Sequence, residues 1–204
     1  MSAAPEHGYE PHQDRRYPAI GPHTVEDWLD LPPTADGSRI ELILGYLTVT
    51  PAPTGDHQMA AFNLAILVRE ALRAAGMTDL HVAPAVNVRI STAFRAALIP
   101  DMVVLDRKPT GVSFPAEALK LAVEVWSPGN TLAEREFKML GYAGAGVPHF
   151  WTVDLPGRLN DLRLTAYRLD NGTYVEENVL KPGEETTITA APFPVTLDVA
   201  ELAV

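Results

Sequence analysis

Leu121-Ala122-Val123-Glu124-Val125-Trp126 reads as a buried β-strand with one residue out of place. Side chains alternate across a strand, so Leu121, Val123 and Val125 face one way and Ala122, Glu124 and Trp126 the other. Both faces are apolar apart from Glu124, the pattern of a strand covered on its two sides. An ionised carboxylate there is costly unless it is paired or binds a metal ion. A second apolar strand, 101–105, precedes it and opens on Asp101 directly after Pro100. Twenty-three positions separate the two acids, enough for one strand, a connection containing Pro and Gly, and a neighbouring strand. Neighbouring strands lie about 4.8 Å apart. Two acids at matching heights can therefore share a divalent cation, and a hard ion such as Mg²⁺ takes such oxygen ligands.

Downstream, residues 131–142 have the spacing of an amphipathic helix, broken by Gly144 and Gly146. Glu134, Lys138 and Tyr142 stand four apart on it and share a face. A lysine ammonium beside a metal can orient an attacking water and offset charge in a phosphoryl transition state. Upstream, Ile40, Leu42 and Leu44 alternate with Arg39, Glu41 and Ile43, and Gly45 permits a reversal into a second strand at 46–50, closed by Pro51-Ala52-Pro53. Glu41, on the side opposite Ile40, Leu42 and Leu44, is a third candidate acid, either a ligand or a holder of water.

The remaining chain reads as mixed α and β around one sheet. Thr24 caps a short helix carrying Trp28, Leu29 and Leu31, stopped by Pro32-Pro33. A longer helix runs from Asp56 or His57 to residue 75, with Phe62, Ile66 and Leu72 among its apolar positions and Gly76 as its stop. Short strands at 79–83 and 85–90 and a loop at 91–98 containing Arg95 follow. Residues 149–154 form another strand. Short strands then alternate with turns at Pro156-Gly157, Asn171-Gly172 and Pro182-Gly183. Residues 1–22 read as a mobile tail and 23–204 as one domain.

Composition narrows the function. The 204 residues are 47% hydrophobic and 21% charged, which excludes a chain disordered throughout. No apolar run is long enough for a membrane span, the first twenty residues lack the apolar core of a secretory signal, and the cytoplasm is expected. The absence of cysteine excludes disulfides, thiolate catalysis and zinc–cysteine sites. No HxH or HExxH spacing points to zinc. A net charge of −10 argues against a protein that coats nucleic acid, though not against a nuclease, whose metal site is itself acidic.

The set Pro100-Asp101-Met102-Val103-Val104, Glu124-Val125-Trp126-Ser127-Pro128, Glu134-Arg135 with Lys138 and Tyr142, and Gly146-Val147-Pro148 leading to Trp151 and Asp154 resembles the Uma-two family of proposed restriction endonucleases. The hairpin Arg39-Ile40-Glu41-Leu42-Ile43 with Gly45 resembles that family's N-terminal signature, and His57 its helix-opening histidine. The likeness covers roughly residues 24–200. It implies an α/β (α+β) restriction-endonuclease-like PD-(D/E)XK fold, a central mixed sheet flanked by helices with extra C-terminal strands. It further implies a Mg²⁺-dependent phosphodiesterase (Mn²⁺ able to substitute) acting on nucleic acid, DNA first, by metal-activated water. Carried over, Asp101 and Glu124 hold the ion with the Val125 carbonyl, Lys138 positions the water, and Glu41 assists. Trp126 stands where the wider superfamily usually has its lysine, so Lys138 supplies it from the helix. His149 and Glu134 also depart from the family's usual residues, without touching the ligands.

Each residue also has a plainer reading. Asp101 could cap a strand, Glu124 and Lys138 could form a structural ion pair, and Glu41 could face solvent. His57 caps or packs at its helix start rather than acting as a base, with Glu134 and Tyr142 as further accessory candidates. Trp126 and Trp151 are core or cleft-wall aromatics. Arg89 and Arg95, just upstream of Asp101, are candidates for phosphate contact or plain surface. Cutting both strands of a duplex calls for a homodimer. The competing function is a non-catalytic binding or regulatory module that keeps the fold.

Overall fold

A computed structural model describes residues 20–155 and 162–203. Most of the expected tail and the turn at Pro156-Gly157 lie outside the described residues. The chain opens with helix α1 (Val25–Leu29), whose cap is reciprocal: Thr24 accepts from the Asp27 N–H and the Asp27 side chain accepts from the Thr24 N–H. Hairpin strands β1 (Arg39–Ile43) and β2 (Tyr46–Thr50) join through Leu44 and Gly45, both at positive φ (49° and 78°). That is the backbone a two-residue hairpin turn requires.

Helix α2 (Gly55–Ala74) follows, capped by Thr54. Strands β3 (His81–Pro84), β4 (Asn87–Ser91), β5 (Ala96–Leu98), β6 (Met102–Leu105), β7 (Ser113–Pro115) and β8 (Leu119–Trp126) lead to helix α3 (Leu132–Gly144), capped by Thr131. Strands β9 (His149–Asp154), β10 (Arg163–Asp170), β11 (Thr173–Leu180), β12 (Thr186–Ile188) and β13 (Val195–Leu197) complete the order, with a final 3-10 turn at Val199–Leu202.

The strands form two main sheets where the sequence suggested one. A six-stranded mixed sheet has the order β11-β10-β9-β8-β6-β3, and a five-stranded sheet the order β2-β1-β5-β4-β7; β12 and β13 pair separately. Part of the segment expected to be a loop, 91–98, is β5, which turns back along β4 and pairs β1. Three small or apolar residues are too few for periodicity to mark a strand.

Strand β8 lies inside the six-stranded sheet, antiparallel to β6 and parallel to β9, with α3 as the crossover. Its alternation is the one read from the sequence. Leu121, Val123 and Val125 enter a core closed by Ala60, Leu64 and Val68 of α2 and by the C-terminal strands. Ala122 and Trp126 enter a second core with α3 and the five-stranded sheet. On α2 the buried stripe is His57, Ala60, Leu64, Val68 and Leu72. Phe62, read as an apolar-face residue, instead points outward and is 58% exposed. Among the described residues no helix is long and apolar enough to cross a membrane.

Candidate active site

Met102 pairs with Val123, so the next antiparallel position sets Asp101 opposite Glu124, on the same face. Strand β6 stops there while β8 runs on to Trp126. The Asp101 N–H donates to the Val123 carbonyl (3.0 Å), and Asp101 Oδ2 accepts from the Val125 N–H (2.8 Å). Its carboxylate thus takes the place that a longer β6 would fill. N–H and C=O of one strand residue leave on the same edge, so the Val125 carbonyl also faces Asp101.

Three acids meet at this end of the sheet. Glu41, Asp101 and Glu124 are all buried, as are Lys138 and His57. Lys138 reaches in from α3 and lies 3.0 Å from Glu41 Oε1 and 3.1 Å from Glu124 Oε2. The Tyr142 hydroxyl, one turn further along the helix, donates to Glu124 Oε1 (2.8 Å). Glu41 Oε1 also accepts from the Ile99 N–H (2.8 Å), which ties β1 to the segment leading into Asp101. Asp101 Oδ1 accepts from Arg39 Nη1 (2.6 Å) and lies 2.9 Å from His57 Nε2. That last contact has ion-pair distance without hydrogen-bond alignment, and His57 Nε2 is otherwise a buried nitrogen without a partner. The other ring nitrogen of His57 lies 3.3 Å from Ser127 Oγ.

The charges follow from this packing. Burial works against an ionised Asp101, but His57, Arg39 and the Val125 N–H outweigh it and hold the carboxyl below the usual range. Burial pushes the Glu124 carboxyl up to about 8; Lys138 opposes the rise, and Asp101 and Glu41 add to it. Burial would lower the Lys138 ammonium, yet Glu124 and Glu41 together raise it above its ordinary value. Tyr142 is raised by burial and by Glu124, and remains a donor. Lys138 is therefore a fixed cation, while Glu124 carries its proton into the neutral range.

These residues line an open pocket of about 400 Å³. Asp101, Glu124, Glu41, Lys138, Val125 and His57 are all on its wall, and Glu134 borders it, held by Asn130 Nδ2 (2.9 Å). The Trp126 ring lies 5.8 Å from Lys138 Nζ, within cation–π reach. Arg89 and Arg95 are not brought here. Arg89 borders a separate cavity, and Arg95 donates to the Gly21 (2.7 Å) and Pro22 (3.1 Å) carbonyls. Sequence reasoning gave no role to Arg39, although it stands two positions from Glu41 on the same strand and hence the same face. Ser127 and Asn130 were also missed; the Ser127 N–H donates to Asn130 Oδ1 (2.8 Å), fixing the turn into α3.

The donors suit a hard divalent ion in kind, being carboxylates and a main-chain carbonyl with no sulfur. Among the described residues no group of three or more His, Cys, Asp or Glu forms a ready metal cage. A magnesium-type ion does not require one, since it binds through one or two carboxylates and keeps waters or substrate phosphate for its other positions. The proton held by Glu124 and the crowding of three acids are what a dication would relieve.

A family model described as Uma2, putative restriction endonuclease, matches residues 25–200. No curated protein matches the chain. Among solved structures, the crystal structure of a putative nuclease belonging to DUF820 from Anabaena variabilis ATCC 29413 superposes with a TM-score of 0.66 at 19% identity, covering 89% of this chain and 97% of the other. The shared fold is the restriction-endonuclease-like one that the motifs implied.

Proposed function

The chain belongs to the Uma2 family, and on that basis we propose that it is a divalent-cation-dependent nuclease hydrolysing phosphodiester bonds of DNA. The observation that carries the reading is the meeting of Asp101, Glu124 and Lys138 at one pocket where β6 ends beside β8. Asp101, Glu124 and the Val125 carbonyl would hold the cation, Mg²⁺ or Mn²⁺, which when bound supplies Lewis-acid stabilisation of the phosphoryl oxygens.

The chain's own groups account for the remaining chemistry. Lys138, kept charged by two carboxylates, is placed to donate to a non-bridging phosphate oxygen as negative charge builds there. Glu124, whose pKa is raised in the ion-free protein, would give up its proton to bind the cation and act ionised, as a ligand. Tyr142 and the Ile99 N–H hold Glu124 and Glu41 in orientation. Arg39 binds a phosphate beside the cleaved one, and Asp101 keeps the guanidinium in place. One such centre cuts one strand, so cutting both strands of a duplex would take two chains.

The contrary observation is that Asp101 is already paired with Arg39 and in contact with His57, as a purely structural network would have it. Cleavage of supercoiled plasmid and labelled oligonucleotides with Mn²⁺ separates the readings. Asp101→Asn and Lys138→Ala are each expected to lose at least about 100-fold in rate. Cleavage that survives both substitutions, or a wild-type chain that cuts neither substrate, refutes the proposal.

A further inference from the structure

A second cavity, of about 340 Å³, opens from the first, and Arg39, His57 and Asp101 line both. Its walls are the outer face of α2 and Val82 and Pro84 of β3, the edge strand of the six-stranded sheet. Ala61 and Ala65 leave room along the helix, while Phe62, 58% exposed, stands beside them. Arg69 is exposed at two turns' distance from Phe62 and makes no ion pair among the described residues. The groove's single acid, Asp101, is already compensated. In a chain of net charge −10 the groove thus presents one arginine outside any ion pair among the described residues, Arg69, and one exposed aromatic ring, Phe62, leading away from the candidate catalytic acids.

Phosphate backbones are followed by cations, and unpaired bases stack on exposed aromatic rings with little regard to sequence. We propose that this groove holds the nucleotide next to the cleaved phosphodiester in single-stranded form, its base stacked on Phe62 and its outer phosphate at Arg69. An unpaired base has a free face to stack on Phe62, whereas a base in a duplex is already stacked on its neighbours. The inference rests on the nuclease reading for the position of the cleaved bond. It adds to that reading a preference for single strands or flaps.

The test is fluorescence anisotropy with a labelled oligothymidylate and with a duplex of equal length, in Ca²⁺ to suppress cleavage. Wild type should bind the single strand more tightly than the duplex. Phe62→Ala should weaken single-strand binding about tenfold, Phe62→Trp should retain it, and Arg69→Ala should reduce the slope of its salt dependence by about 0.7. Both side chains are exposed, so thermal melts should match wild type. Equal binding by wild type and Phe62→Ala, or tighter binding of the duplex, overturns the groove and leaves the nuclease reading standing. Phe62-dependent binding without cleavage in Mn²⁺ upholds the groove and overturns the nuclease reading.

Discussion

Divalent ions should stabilise this protein in a manner set by Glu124. Its carboxyl is fully buried and pushed up to about 8, so below that pH an incoming cation must displace a proton. Apparent ion affinity then falls about tenfold for each pH unit below 8 and levels off above it. Between about pH 9 and about pH 6 the loss is about 100-fold, or about 3 kcal/mol. For a chain of this length, 1 kcal/mol moves Tm by about 2–4 °C. With Mn²⁺ in excess at both pH values, the ion-induced rise in Tm should be larger at pH 9 by roughly 5–10 °C.

The ion-free protein should behave in the opposite sense. A carboxyl whose pKa is raised by folding contributes stability that is fully present below its unfolded value and is lost as pH rises through about 8. Its Tm should therefore fall from above about pH 5 up to about pH 8 and level off beyond it. In Glu124→Gln both effects should shrink, since nothing at that position titrates. The assay is differential scanning fluorimetry across pH with and without Mn²⁺, repeated in Mg²⁺. An ion-induced rise that is flat with pH in wild type, or equal in Glu124→Gln, would show that no cation competes for the Glu124 proton.

Three further substitutions probe the surrounding structure. Lys138→Met leaves Glu41 and Glu124 buried without their shared ammonium and should cost about 3–5 kcal/mol near pH 8 by urea unfolding, less in acid where carboxyls are neutral. Gly45→Ala sets a Cβ 2.4 Å from the Gly21 carbonyl oxygen at a φ of 78°, and should cost about 2 kcal/mol with faster amide exchange at residues 21–23. Leu64→Ala empties a fully buried position between α2 and the six-stranded sheet and should cost about 3 kcal/mol by urea unfolding, with an unchanged m-value.

The central strand and its site were readable because they break a rule. Glu124 is an acid in a run whose two faces are both apolar, and Asp101 opens the only comparable run upstream. Period two then put them on one face as soon as β6 and β8 paired in the observed register. Helix α3 was equally legible from its amphipathic spacing over 131–142 and from the four-residue spacing of Glu134, Lys138 and Tyr142. What escaped were features decided by tertiary contact. Strand β5 is three residues long and is a strand because β1 and β4 flank it. Arg39 has the look of a solvated strand residue until Asp101 arrives from sixty-two positions away. Phe62 stood among the apolar positions of its helix, yet Ala60 and Leu64 already fill the buried stripe of α2 and leave it facing the groove.

The place of the site follows from the sheet itself. Because β6 ends at Met102 while β8 continues to Trp126, the edge of β8 beyond Val123 that faces β6 has polar backbone and, among the described residues, no strand pairing it. The Asp101 carboxylate takes the Val125 N–H in place of a ladder partner, and the Val125 carbonyl on the same edge is left facing the pocket. An acid that completes a sheet is held in one orientation without help from a metal, which is the preorganisation a cation site needs. The same arrangement ties chemistry to stability. Asp101→Asn can still accept from Val125, but it leaves Arg39 and His57 without their anion, so loss of activity in that variant should come with a measurable loss of stability. Glu124→Gln removes a penalised charge instead, and should lose activity while the ion-free protein melts no lower than wild type at alkaline pH. Opposite shifts in stability from two acids that face each other across one ladder would distinguish an acid that the fold uses from an acid that the fold tolerates.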